Sequence, residues 1–479
     1  QELVPLDNPL IRFSGREAPE GGEDALRAAW NAGMAMPLAA PEETQQAEFA
    51  YTDFGTPGLI TSYLRSEDLE ISQLTFANGL KLNLKPTQLQ QDRINIQLNI
   101  DGGSLLDTRD DPLATAMVSS LPVGGLGAHD LDELQSILAG KQVGLNISAA
   151  PETFRLGATT TKRDLELQLQ LMAAVIADPG YRPEGEVQYQ RNVSNWYARR
   201  FATPETALST SLGAIRSDND PRHSLQDEED YLALSFDRLR QAIGDRMANG
   251  AMELALVGDF DEAEAVAMVA RTLGALPPRE SDFQAYTNNR DRSFTADRSQ
   301  RILYHDGADD QAIVNISWPT RDDSDHRASQ VLDMLRYVMR LQLIEIVREE
   351  LGQTYSPSVS ASQSRVFPGY GTFALQSAVD VSDVDATRDA MLRALDSVRS
   401  ALPSDDLMQR ARQPILERFD NALDTNAGWM GLVDRAHSQG DRMDRFLAGK
   451  QQLQSITPAE VQAAALRYLD PEERLEVVV

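Results

Sequence analysis

The hydrophobic pattern changes period within a single stretch, VLDMLRYVMRLQLIEIVREELGQTYSPS (331–358), and the rest of the chain is arranged around it. Val331, Leu335, Val338, Leu341 and Ile344 recur at three- and four-residue steps, which lays one apolar stripe along a helix. Ser324 and Asp325 are placed to cap its start, and Gly352 can take a left-handed C-cap. Beyond Gly352 the period falls to two: Tyr355, Pro357 and Val359 alternate with Ser356, Ser358 and Ser360, as in a half-buried strand. Arg348 prolongs the stripe one turn past Ile344, which would aim a guanidinium at an interior or a cavity. Tyr355 comes seven residues later, so both heads can serve one site. Such a pair can donate to an oxyanion or a peptide carbonyl. An ion pair from Arg348 to Glu345 or Glu349, with Tyr355 filling space, accounts for the same residues.

Taken in order, residues 1–68 read as an N-terminal strand, a short helix and a linker that belong to or contact a preceding domain. PLIRFSG (9–15) is the strand, and it needs a sheet to satisfy its backbone. EGGEDALRAAWNAGM (20–34) is the helical pattern. The main body opens on LTFANGLKLNLKP (74–86), two alternating runs around Asn78-Gly79, a strong hairpin signal. Next come a strand at 94–103, helices near 112–121, 131–139 and 164–177, a strand pair over 143–161 and a long polar helical region over 183–215. MELALVGDF (252–260) is another strand, and a helix over 260–277 stops at Pro277.

The order then repeats. RILYHD (301–306) and AIVNISWP (312–319) read as strands before the 331–351 helix, with strands at 356–364 and 371–379 and a helix at 383–401 after it. Residues 402–423 parallel 183–201, and 456–479 parallel 236–259. The expected fold is α+β: two tandem homologous units, 69–278 and 290–479, each a mainly antiparallel sheet with helices on one face. The polar stretch 279–298 is the seam between them.

Composition narrows the options. A net charge of −28 argues against a nucleic-acid partner and against docking on anionic lipid. The absence of cysteine excludes disulfides, thiol catalysis and thiolate-bound zinc. No apolar run approaches the ~20 residues that span a bilayer, so no membrane insertion is expected. The first residue is not methionine and no signal-peptide pattern comes after it, which reads as a mature, processed or excised product.

VREELGQTYS resembles the arginine-and-tyrosine segment in the last domain of the pitrilysin/insulinase family, the zinc peptidases with an inverted H-x-x-E-H motif. The NG hairpin, the GG-S after the third strand and VGDFDEAEA before the unit boundary resemble the same family, and the long bacterial members most. The resemblance implies half of a clam-shell peptidase. In it Arg348 and Tyr355 would reach across a closed chamber to a substrate held at a partner's zinc. The family's zinc helix corresponds here to DPLATAMVSSLPVGG (111–125), where the motif positions fall near Ala116, Ser119 and Ser120, and none can ligate zinc or act as base. Glu184 and Glu186 lie where the third ligand would be, without histidines to complete a site. His129 and Glu133 stand four apart, but Asp130 with Glu133 explains the same residues as a helix start. His223, His305, His326 and His437 show no metal spacing, and GGLG (124–127) reads as a turn.

The resemblance therefore implies no cofactor in this chain, with Zn in the partner half, and partners consisting of a zinc-bearing peptidase half or subunit and an unfolded peptide substrate. It leaves open whether the chain is itself part of the hydrolase or a non-catalytic core or assembly protein of the same fold. A periplasmic or otherwise exported location in a bacterium fits the cysteine-free composition, and the cytoplasm fits it too.

Overall fold

The computed structural model describes residues 12–14, 20–36, 48–351 and 357–479, without the side chains of 347–351. The chain divides into two compact units, 1–47 and 48–479. In the first unit a helix, Gly22–Ala35, forms where the 20–34 pattern places one, and none of its residues is buried. Of the expected PLIRFSG strand only Arg12, Phe13 and Ser14 are described; they are irregular and exposed, and the rest of that expectation lies outside the described residues.

The second unit contains two lobes. The first is built on β1 (Ile60–Arg65), β2 (Ser72–Phe76), β3 (Lys81–Pro86), β4 (Ile94–Asp101), β5 (Ile147–Ala149), β6 (Thr153–Thr160) and β7 (Met252–Gly258), in the order β1-β2-β3-β7-β4-β6-β5. All neighbours are antiparallel except β3 and β7. β1 pairs with β2, so the boundary read at residue 68 falls within this hairpin. The NG turn forms as its chemistry requires: Gly79 takes φ +94°, and Asn78 Oδ1 accepts from Leu80 N at 3.1 Å.

The second lobe holds β8 (Arg301–Ile302), β9 (Gln311–Thr320), β10 (Ser358–Gln363), β11 (Gly371–Asp380) and β12 (Leu475–Val478), in the order β10-β11-β9-β12-β8. β8 is shorter than the 301–306 run anticipated: Leu303 N still bonds to Val478 O, but beyond it the chain leaves the sheet and Asp306 N bonds to Phe201 O. The strands β8-β12-β9-β11-β10 repeat the order β3-β7-β4-β6-β5, including the one parallel pair in each set. The duplication read in the sequence is thus visible strand by strand.

Each sheet buries one face under its own helices. In the first lobe Leu82, Leu84, Ile94, Ile96, Leu98 and Leu254 form the core, and in the second Val314, Ile316, Trp318, Phe373 and Leu375 do. The other faces are partly covered by exchange. Helix Pro204–Arg216 of the first lobe sets Ala207 and Leu208 against Ile313, Leu475 and Val477. Helix Asn426–Val433 of the second lobe sets Trp429, Leu432 and Val433 against Ile71, Ala255 and Val257.

One expected helix is corrected. Residues 112–121 form turns and then a 3-10 segment, Val118–Gly124, not an α-helix. Asp107 takes the Thr115 N–H out of a helical ladder, and Thr115 and Val118 are β-branched. The helical region read over 183–215 forms as two helices, Pro183–Tyr197 and Pro204–Arg216, separated where Thr203 and Thr206 form a capping box around Pro204.

Candidate functional site

The segment that carries Arg348 and Tyr355 lies between helix His326–Leu351 and strand β10. The helix begins where the sequence places it, with Asp325 Oδ1 accepting from Ala328 N at 3.1 Å. Its buried line runs through Leu332, Leu335, Met339 and Leu343, all essentially inaccessible, whereas Leu341 and Ile344 are half-buried. The stripe read from the sequence is therefore corrected in its second half. Each three-residue step lags the helical turn by about 60°, so the line 338-341-344 drifts off the core. Arg348 belongs to this helix, but its side chain lies outside the described residues. Tyr355 and Gly352 lie outside the described residues altogether. On the far side of the segment Pro357 and Val359 are buried, and Ser358 and Ser360 are exposed. Among the described residues β10 pairs only with β11, at the edge of the sheet.

At the position of the zinc motif, Ala116 is half-buried, Ser119 exposed and Ser120 buried. A methyl group and two hydroxyls do not fit a zinc ligand set, so no step of zinc chemistry can be routed through these residues. Among the described residues no group of three or more His, Asp or Glu is placed to hold a metal ion. What organises this region is Asp107, whose carboxylate accepts from Thr115 N at 2.9 Å and from Thr115 Oγ1 at 3.1 Å. Burial, helped by Asp111, pushes its carboxyl up to about 7 against the pull of those bonds.

The remaining candidates have structural tasks. Asp130 caps helix Leu131–Ile137 by accepting from Glu133 N at 2.8 Å. His129 is buried; its Nε2 accepts from Ala50 N at 3.0 Å and its ring stacks on Phe49 at 5.8 Å. Glu133 lies 3.5 Å from His129 Nδ1. Glu186 accepts from Phe236 N at 2.6 Å at the start of helix Phe236–Asn249, and Glu184 is exposed. The GGLG turn is held by Arg182, which donates to the carbonyls of Gly124, Leu126, Gly127 and His129. His305 is bound within its own loop, and His223 sits edge-on to Phe367 with its ring pKa lowered by burial to about 4.

The sequence reading missed the polar junction between the lobes. Glu253 on β7 is fully buried and accepts from Asn83 Nδ2 at 2.6 Å, His437 N at 2.8 Å and Ser438 N at 3.1 Å. Asn99 Nδ2 donates to Asp434 Oδ1, and Arg435 Nη1 to Glu152 Oε2 at 2.9 Å. Arg290 in the seam donates to the other oxygen of Glu152. Burial first, and then the bonds from both arginines, act on Glu152; the net result is a carboxyl held below its usual range. The alternation INIQLNID held the signal: Asn95, Gln97 and Asn99 mark a face turned away from the lobe's own helices.

The architecture defines a class: a two-lobed α+β half in the manner of the clam-shell zinc peptidases, with a first lobe that has no zinc ligands at the motif positions. Residues 233–415 match the family model described as the Peptidase M16 inactive domain. In an alignment 439 residues long that covers 81% of this chain, it is 21% identical to the chloroplastic stromal processing peptidase of Pisum sativum, of whose length the match covers 35%. The chain thus spans about a third of the length of the curated relatives it matches. Among solved structures, the periplasmic protease PqqL of Escherichia coli superposes with a TM-score of 0.75 at 17% identity, covering 96% of this chain and 50% of that one. A peptidase M16 inactive domain from Pseudomonas fluorescens superposes at 0.67 and 16% identity, covering 86% of this chain and 98% of that one. The resemblance read in the sequence stands: the chain carries an M16 inactive domain and is homologous to the stromal processing peptidases. No helix among the described residues is long and apolar enough to cross a membrane.

Proposed function

We propose that the chain is the zinc-free, non-autonomous half of a metallopeptidase. It closes against a zinc-bearing half or subunit, and the two enclose an unfolded peptide. The partner supplies the metal and its activated water. This chain supplies the opposite wall, and Arg348 and Tyr355 donate to the scissile carbonyl and to the tetrahedral oxyanion formed from it. The observation that carries the reading is one of extent: 96% of the chain superposes on 50% of a protease, while its own motif positions are Ala116, Ser119 and Ser120. A half-length relative with no ligands of its own acquires catalytic meaning by completing another half. A periplasmic or other exported setting in a bacterium fits this reading, since PqqL is a periplasmic protease.

The test is turnover of a quenched peptide by the assembled pair. Tyr355→Phe and Arg348→Ala should each lower kcat by about 10²–10³, the usual cost of one oxyanion donor, with partner affinity unchanged. Unaltered turnover in both variants removes the catalytic role and leaves a scaffold of the same fold.

A further inference from the structure

The second lobe contains an open cavity of about 360 Å³, bounded by the first half of helix His326–Leu351, by helices Asp405–Asn421 and Asp441–Gln454, and by the end of β10. That volume lies within the ~300–1,000 Å³ range of ligand sites. Its apolar side is made by Ile415, Phe419, Phe446 and Leu453, the two phenyl rings 5.9 Å apart. Its polar side leaves hydrogen-bonding atoms without partners among the described residues: Gln330 Oε1, Gln363 Nε2, His326 Nε2 and Arg442 Nε. Gln330 is 8% exposed and is held in place by donating Nε2 to Gly449 O at 2.9 Å, so its free oxygen is fixed rather than adrift. Buried groups of this kind ordinarily find partners, and this set stands beside one cavity of ligand-site size.

The charges indicate what fits there. Four arginines line the cavity, in a chain whose net charge is −28. Arg365 and Arg445 are matched by Asp323 and Asp441, and Arg418 by Asp333. Among the described residues no carboxylate pairs with Arg442, which donates to Gly431 O and to Gln439 Oε1. Burial is the leading cause that lowers its pKa, with Arg365 and Arg435 adding to it and Asp434 and Glu253, neither in contact, acting against it.

We propose that this cavity binds a small monocarboxylate with an apolar body, the acid group meeting Arg442 and the body resting on Phe419 and Phe446. The inference does not depend on the peptidase reading. The ligand could arrive as a free acid or as the last residue of a peptide, which present the same chemistry.

The test uses the whole chain and three probes, N-acetyl-phenylalanine, its carboxamide, and an N-acetyl tetrapeptide ending in free phenylalanine, measured by calorimetry and thermal shift. The acid should bind and raise Tm, and the carboxamide should bind about tenfold or more weakly, because a charge-assisted hydrogen bond is lost. Arg442→Gln should remove that preference, and Arg442→Lys should keep part of it. Tetrapeptide binding equal to that of the acid assigns the site to peptide C-termini, and binding of the acid alone assigns it to free acids. No binding of any probe at millimolar concentration overturns the proposal. So does equal binding of acid and carboxamide by the unsubstituted chain, a readout that needs no variant to fold.

Discussion

The two lobes share a strand order but differ in the segment that leaves the central strand. After β9 the chain runs without Gly or Pro into a helix of 26 residues, His326–Leu351. After β4 the corresponding chain holds Pro112, Pro122, Gly124 and Gly125 and settles into turns and 3-10 segments. The difference teaches that a duplicated sheet can be kept while the segment after its central strand is a long helix in one copy and a run of turns and 3-10 segments in the other. Packing explains why both versions are stable. In the second lobe the helix supplies Leu335, Val338 and Met339 to the core, whereas in the first lobe Met117, Val118 and Leu121 fill the same role from a non-helical backbone.

This contrast can be sharpened by substitution. The largest effect on stability should come from Leu335→Ala, which removes a fully buried side chain from the long helix and should cost about 2–5 kcal/mol in urea unfolding. In the 3-10 segment, exposed Ser119→Ala should change stability by no more than about 0.5 kcal/mol and leave turnover of the assembled pair unaltered. Sensitivity at Ser119 as great as that at Leu335 would break the comparison.

Next comes the junction that holds the lobes in register. Glu253→Gln turns an amide nitrogen toward backbone donors that now meet a carboxylate, and should cost about 1–3 kcal/mol. Hydrogen exchange should show the loss of protection concentrated at His437 and Ser438 rather than spread through both cores.

The last effect is one of pH. The Asp107 carboxyl keeps its proton up to about pH 7 in the folded chain, whereas its ordinary value is 3.8. Between those values the folded state binds more protons than the unfolded, so this group's contribution falls as pH rises through the window. Asp107→Asn should therefore be more stable than the unsubstituted chain at pH 7.5 and lose the advantage towards pH 4, with a slope of at most about 1.4 kcal/mol per pH unit. Parallel pH profiles for the two proteins would contradict that assignment.

Much of the fold was legible because it rests on local chemistry: Asn78-Gly79 for the hairpin, Asp130 and Asp325 for helix starts, strict alternation for β4. The helix expected at 112–121 failed because apolar spacing does not register that Asp107 takes the Thr115 N–H out of a helical ladder. The long stripe failed past Val338 because a run of three-residue steps slips around the helix. The exchange of helices between lobes was illegible, since Trp429 and Ile71 lie far apart in sequence and only the folded chain brings them together. At the site itself, the lack of zinc-ligating residue types at Ala116, Ser119 and Ser120 was legible from the sequence alone, whereas Arg348 and Tyr355 were legible only as spacing, the Arg348 side chain and Tyr355 lying outside the described residues.

The most direct measurement is of zinc and turnover together, made on the purified chain alone and then on the chain mixed with its zinc-bearing half. The account predicts no stoichiometric zinc and no peptide cleavage by the chain alone, with cleavage appearing on mixing and exceeding that of the partner by itself. Stoichiometric zinc with unaided cleavage by the isolated chain, or a partner that works equally well without it, would contradict the account.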